Sequence, residues 1–120
     1  MNVLFAEDDA LTAELYIGAI EARGHKVTAA YDGQQCLNAY KRLTRPFDVV
    51  VLDYMLPIID GGEIARQILE LNEKQRIIIV TAYEKDLVTH FAPGLKGRIQ
   101  LIQKPFEPQQ LVELIEGIKA

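Results

Sequence analysis

Apolar positions along this chain fall into two rhythms that take turns. Five short runs are dense in β-branched residues: NVLFA at 2–6, KVTAAY at 26–31, DVVVLD at 48–53, RIIIVT at 76–81 and RIQLIQ at 98–103. The third and fourth are continuously apolar, the pattern of central parallel strands covered on both faces. Between them the spacing becomes helical. Residues 10–23 put Leu11, Leu15, Gly18 or Ala19, and Ala22 on one predicted stripe; residues 34–43 group Cys36, Leu37, Tyr40 and Leu43. Residues 62–71 offer Ile64, Ile68 and Leu71, and 109–118 offer Leu111, Leu114, Ile115 and Ile118.

Start signals agree with these helices. Asp32-Gly33 precedes the second, Asp60 with Glu63 three residues on reads as a capping box for the third, and Pro108 suits the first turn of the last. Within EKDLVTHFAPGLKG (84–97), Pro93-Gly94 and Gly97 predict a short helix followed by an irregular connection. The alternation is (βα)₅, an α/β class with a parallel sheet and right-handed crossovers, and 1–120 reads as one domain without linkers or repeats.

Composition narrows the function. Apolar residues make up 49% and charged residues 25%, an ordinary globular balance, and the net charge of −4 supplies no basic field for nucleic acid. No run approaches the roughly 18 apolar residues that span a bilayer. MNVLFAEDD turns acidic too early for a signal peptide, so a cytoplasmic location is expected. The single cysteine, Cys36, has no disulfide or zinc partner and reads as a half-buried core thiol on a helix. His25 and His90 lack metal spacing and read as surface or loop histidines.

Open parallel α/β sheets bind ligands beyond the carboxyl ends of their strands. Here those ends carry Glu7-Asp8-Asp9, Asp53, Thr81 and Lys104, while Tyr31-Asp32-Gly33 is explained by turn chemistry. Three acids gathered at one place repel, and one is driven to take a proton. A hard divalent cation such as Mg²⁺ relieves this with oxygen ligands, and Lys104 adds positive charge without fixed geometry. An ionised Asp53 beside Mg²⁺ can attack a phosphoryl group, with the Thr81 hydroxyl offered to a phosphoryl oxygen. The product is a hydrolysable acyl phosphate, suited to a transient signal. Asp9 reads as a helix cap or exposed acid rather than a metal ligand.

FAEDD (5–9), LDYMLPIIDGG (52–62), VTA (80–82) and QKPF (103–106) together resemble the receiver domain of two-component response regulators, along essentially the whole chain. The resemblance implies a flavodoxin-like, doubly wound five-stranded sheet of order 2-1-3-4-5. It implies a Mg²⁺ cofactor held by Glu7, Asp8, Asp53 and the Met55 backbone carbonyl, with Asp53 as phosphoacceptor. Thr81 is similar to the family's switch hydroxyl, Ala82 to the small residue beside it, and Lys104-Pro105 to the lysine and its following proline, a bond usually cis. The implied donor is a phosphohistidine on a sensor histidine kinase or a histidine phosphotransfer protein, and the implied recipient is an output domain or target protein. Direct nucleic-acid binding and membrane association are not expected.

Leu101 stands where many receivers carry Tyr or Phe, so an aromatic rotamer switch is not available, and FAPGLKGRIQ (91–100) departs from the family's usual small-residue run. An aspartyl-phosphate phosphatase would need an acid at position 55, which is Met55, and no phosphate-binding glycine motif follows a strand. A receiver-like domain that is never phosphorylated is opposed by the intact set of acids, hydroxyl and lysine. The expectation is therefore a regulatory module whose only chemistry is its own phosphotransfer and a slow self-dephosphorylation, because Met55 and Tyr83 offer no carboxylate or amide to orient water. Tyr83 reads either as an exposed aromatic or as a shield over the acyl phosphate.

Overall fold

The computed structural model describes residues 1–42, 46–82 and 99–117. Within them the order is β1 (Asn2–Ala6), α1 (Ala10–Glu21), β2 (Lys26–Ala30), α2 (Gly33–Arg42), β3 (Val49–Asp53), α3 (Gly61–Leu71), β4 (Ile77–Thr81), β5 (Ile99–Gln103) and α4 (Pro108–Glu116). The five strands form one parallel sheet in the order β2-β1-β3-β4-β5, as expected. The expected segment 84–97, with Tyr83, His90, Leu43 and Ile118, lies outside the described residues. Among the described residues, no helix is long and apolar enough to cross a membrane.

Strand geometry explains the continuous apolar runs. Successive side chains point to opposite faces, so a strand covered on both sides must be apolar throughout. Leu4, Val50, Leu52, Ile77 and Ile79 enter the core under α2 and α3; Val3, Phe5, Val49, Val51, Ile78 and Val80 enter the one under α1 and α4. Every residue of β3 and β4 is buried. Each large aliphatic side chain removed from water there contributes roughly 1.5–3 kcal/mol, so the sheet's centre is its firmest part. β5, at the edge, mixes partly buried and exposed residues.

The helices mostly begin where capping chemistry places them. Asp9 precedes α1 and accepts from the Leu11 amide (3.2 Å) and the Thr12 hydroxyl (2.7 Å). Asp60 accepts from the Glu63 amide at 2.9 Å, but the Glu63 carboxylate engages Arg66, so the described bonds show half of the expected box. Pro108 is the first residue of α4, and the Arg76 guanidinium donates to the Leu114 and Ile115 carbonyls at its other end.

Two sequence expectations change. The inner face of α1 is Ala13, Tyr16, Ile17, Ala19 and Ile20, while Leu11 and Leu15 are 78% and 60% exposed. That helix is apolar on two sides, so spacing alone did not choose between them. In α3, Ala65 and Leu69 are buried with Ile64 and Ile68, whereas Leu71 faces solvent. His25 lies in the loop between α1 and β2, in line with its reading, and its Nε2 is 2.8 Å from Glu116 Oε2, which also pairs with Arg23. That contact joins residues 91 apart and has no local signature.

Candidate functional site

The strand ladder delivers the polar residues to one rim. β3 runs deepest in the sheet and ends at Asp53, which is only 7% exposed. Its neighbour β1 pairs Ala6 with Leu52, so Glu7 follows beside Asp53; Glu7 is buried and Asp8 is exposed. On the other side β4 pairs Val80 with Asp53, and the buried Thr81 comes next. β5 pairs Gln103 with Thr81, and the Lys104 amide donates to the Thr81 carbonyl at 2.8 Å. The Lys104–Pro105 peptide bond is cis, as the resemblance implied.

Distances within this rim are short. Lys104 Nζ donates to Asp53 Oδ2 at 3.2 Å and lies 3.9 Å from Glu7 Oε1. The Met55 amide donates to the other Asp53 oxygen at 3.0 Å, curling the β3–α3 loop around the carboxylate, while the Met55 side chain is 75% exposed. One carboxylate oxygen each from Glu7, Asp8 and Asp53 lie within 4.8 Å of one another. Asp9 is turned into the α1 cap and does not join this group.

The electrostatics follow from crowding. Burial, then a hydrogen bond and charge repulsion from Asp53, then Asp8, push Glu7 from an ordinary value of 4.5 to about 7. Partial burial works against the charge on Lys104, yet Asp53 and then Glu7 hold its pKa above the ordinary lysine value. The group thus carries more acid than one lysine offsets, with oxygen donors only and one acid open to solvent. That donor set fits a hard divalent cation. Away from it, burial raises the Cys36 thiol to about 12, leaving it an inert core residue.

The structure adds residues that sequence reasoning passed over. Gly61 opens α3 directly beneath the site: a Cβ there would stand 2.6 Å from the Asp53 carbonyl oxygen and 2.9 Å from Tyr54 Cα. Its amide also donates to the Tyr54 carbonyl at 2.9 Å. Gly33, read as turn chemistry, is equally constrained, because a Cβ would meet the Ile59 carbonyl oxygen at 2.2 Å. The paired glycines after Asp60 were the visible signal for the first. Between these contacts Ile58 holds a φ of 72°, a strained conformation for a β-branched residue. Leu101 is half-buried against the core under α2 and α3. Tyr16, which the sequence reading did not single out, stacks on Phe106.

Comparison with known proteins follows this geometry. The model of the response regulator receiver domain family matches residues 3–116. Response regulator GtcR of Aneurinibacillus migulanus is 31% identical over 97% of this chain and 46% of its own length. Transcriptional regulatory protein TrcR of Mycobacterium tuberculosis is 32% identical over 98% of this chain and 45% of its own length. The chain therefore spans about half the length of the curated relatives it matches. Among solved structures, the Francisella response regulator 1452 receiver domain superposes with a TM-score of 0.83 at 28% identity, covering 98% of this chain and 94% of that one. With the parallel sheet ordered as expected and the acids and lysine converging at one rim, the match over residues 3–116 makes this chain a member of the response regulator receiver domain family.

Proposed function

We propose that Asp53 accepts a phosphoryl group, in a Mg²⁺-dependent transfer from a phosphohistidine on a sensor histidine kinase or histidine phosphotransfer protein. The observation that carries the reading is Lys104 Nζ at 3.2 Å from a buried Asp53 whose neighbours Glu7 and Asp8 offer oxygens within 4.8 Å. Glu7, Asp8, Asp53 and the Met55 carbonyl would hold the metal; when bound, it neutralises charge on the transferring phosphoryl oxygens.

The protein's own groups do the rest. The Lys104 ammonium pairs with Asp53, and the Met55 amide fixes the carboxylate plane. A carboxylate oxygen forms the new O–P bond as the donor's N–P bond breaks, and the imidazole leaves. Lys104 then meets a phosphoryl oxygen, and the Thr81 hydroxyl meets another, with the exposed Ala82 leaving room beside it. Drawing Thr81 towards the phosphoryl group biases a two-state surface towards its active form. The exposed, uncharged Met55 side chain offers nothing to orient a hydrolytic water, in keeping with slow self-dephosphorylation. The module is cytoplasmic in this reading, acts on a further domain or target protein, and binds neither nucleic acid nor membrane directly.

Intact-mass spectrometry after incubation with acetyl phosphate tests the transfer. One phosphoryl group is expected on the wild type with Mg²⁺, with far less in chelator and none on Asp53→Asn. Equal phosphorylation of Asp53→Asn, or no mass gain on the wild type, contradicts the reading.

A further inference from the structure

Asp53 and Thr81 are fixed by strands buried along their whole length, but Lys104 is not. It follows β5, the partly exposed edge strand, and its side chain is 38% exposed. A long, flexible lysine on an edge loop needs a second anchor if its ammonium is to stay on Asp53. The structure offers one two residues further on. The Phe106 ring stacks on Tyr16 of α1, with centroids 5.2 Å apart and planes at 26°. Tyr16 in turn leans against Phe5 of β1 at 6.2 Å and 41°.

These rings tie together three pieces of chain that border the site. Phe5 lies two residues before Glu7, Tyr16 lies on the helix that follows the acids, and Phe106 lies on the Lys104 loop. Tyr16 is also within electrostatic reach of Lys104, Glu7 and Glu107. Stacked aromatic pairs contribute beyond their area burial, which biases the loop towards one placement of the lysine.

Resting on the reading that Lys104 assists phosphotransfer, we propose that Tyr16 and Phe106 are positioning residues for Lys104, holding its loop against the strand that leads into Glu7. They touch neither donor nor metal in this scheme and act through the lysine alone. The prediction is thus specific: losing the stack slows phosphotransfer and leaves metal affinity unchanged, because the metal's proposed ligands lie on the β1–α1 loop, β3 and the β3–α3 loop.

The test measures acetyl phosphate phosphorylation rates at saturating Mg²⁺, with Mg²⁺ affinity by calorimetric titration, for wild type, Tyr16→Leu, Tyr16→Phe, Lys104→Ala and the double variant Tyr16→Leu/Lys104→Ala. Tyr16→Leu is expected to be about tenfold slower, since small misplacements of a catalytic group cost rate steeply. Its Mg²⁺ affinity should stay within about twofold, Tyr16→Phe should keep the wild-type rate, and the double variant should be no slower than Lys104→Ala alone. Phe106→Leu gives the same readout should Tyr16→Leu not fold. A wild-type rate in Lys104→Ala overturns the underlying reading. A slow Lys104→Ala with a fast Tyr16→Leu overturns this inference only. So does a parallel loss of metal affinity, a slow Tyr16→Phe, or a further drop in the double variant.

Discussion

Glu7 is buried against Asp53 with a pKa pushed up to about 7, and that single displacement links the site to the stability of the whole domain. Between an ordinary 4.5 and about 7 the folded chain binds a proton that the unfolded chain releases. The stability Glu7 contributes is therefore full below its unfolded value and is lost as pH rises through the folded one. Without Mg²⁺, urea unfolding should show stability falling by roughly 1–3 kcal/mol between about pH 5 and about pH 8 from this group, and Glu7→Gln should lose that component. Mg²⁺ competes with the same proton, so its affinity should rise across the window in the wild type and vary much less in Glu7→Gln. Equal pH slopes in the two proteins would show that the buried acid is not the source. The residues involved were legible beforehand because a strand's last residue can be read from where its apolar run stops. The cost of crowding them was also foreseeable; which acid carries it was not, since that depends on burial.

At the scale of elements, the strands were read to within a residue, whereas the orientation of α1 was not. A strand buried on both faces has no sidedness to misjudge. α1 is apolar on two sides, and the side it buries meets partners that spacing does not show: Phe106, far along the chain, stacks on Tyr16, and Phe5 leans against it. The start of α3 shows the same limit. Asp60 announced the helix, but only the folded chain shows Gly61 pressed against the backbone of Asp53 and Tyr54. A methyl group there meets backbone, which cannot rotate aside as a flexible side chain would. Gly61→Ala should therefore lower stability by about 1–3 kcal/mol and slow phosphorylation by shifting the β3–α3 loop. Denaturant midpoints and acetyl phosphate rates check this, and an unchanged midpoint would mean that the loop yields without strain.

For the whole molecule, the parallel ladder does the assembling. Five strands pointing the same way bring the residues after positions 6, 52, 80 and 103 to one rim, although they are scattered through the sequence. That is why the site could be foreseen from strand ends, while contacts with no such rule, such as His25 with Glu116, could not. The same architecture divides the core into two layers, with Leu101 against one and Tyr16 and Phe106 in the other. A chain that lacks the family's usual ring at position 101 thus has rings on the opposite side of the sheet, joined to the lysine loop.

Asp53 is the proposed acceptor, and an acyl phosphate on it can be identified chemically. Borohydride reduction converts phosphoaspartate to homoserine, which peptide mass spectrometry locates in the sequence. After treatment with Mg²⁺ and phosphodonor, homoserine is predicted at position 53, and none there when Mg²⁺ is chelated. Homoserine at Asp8 or at another acid, with Asp53 intact, would contradict the account.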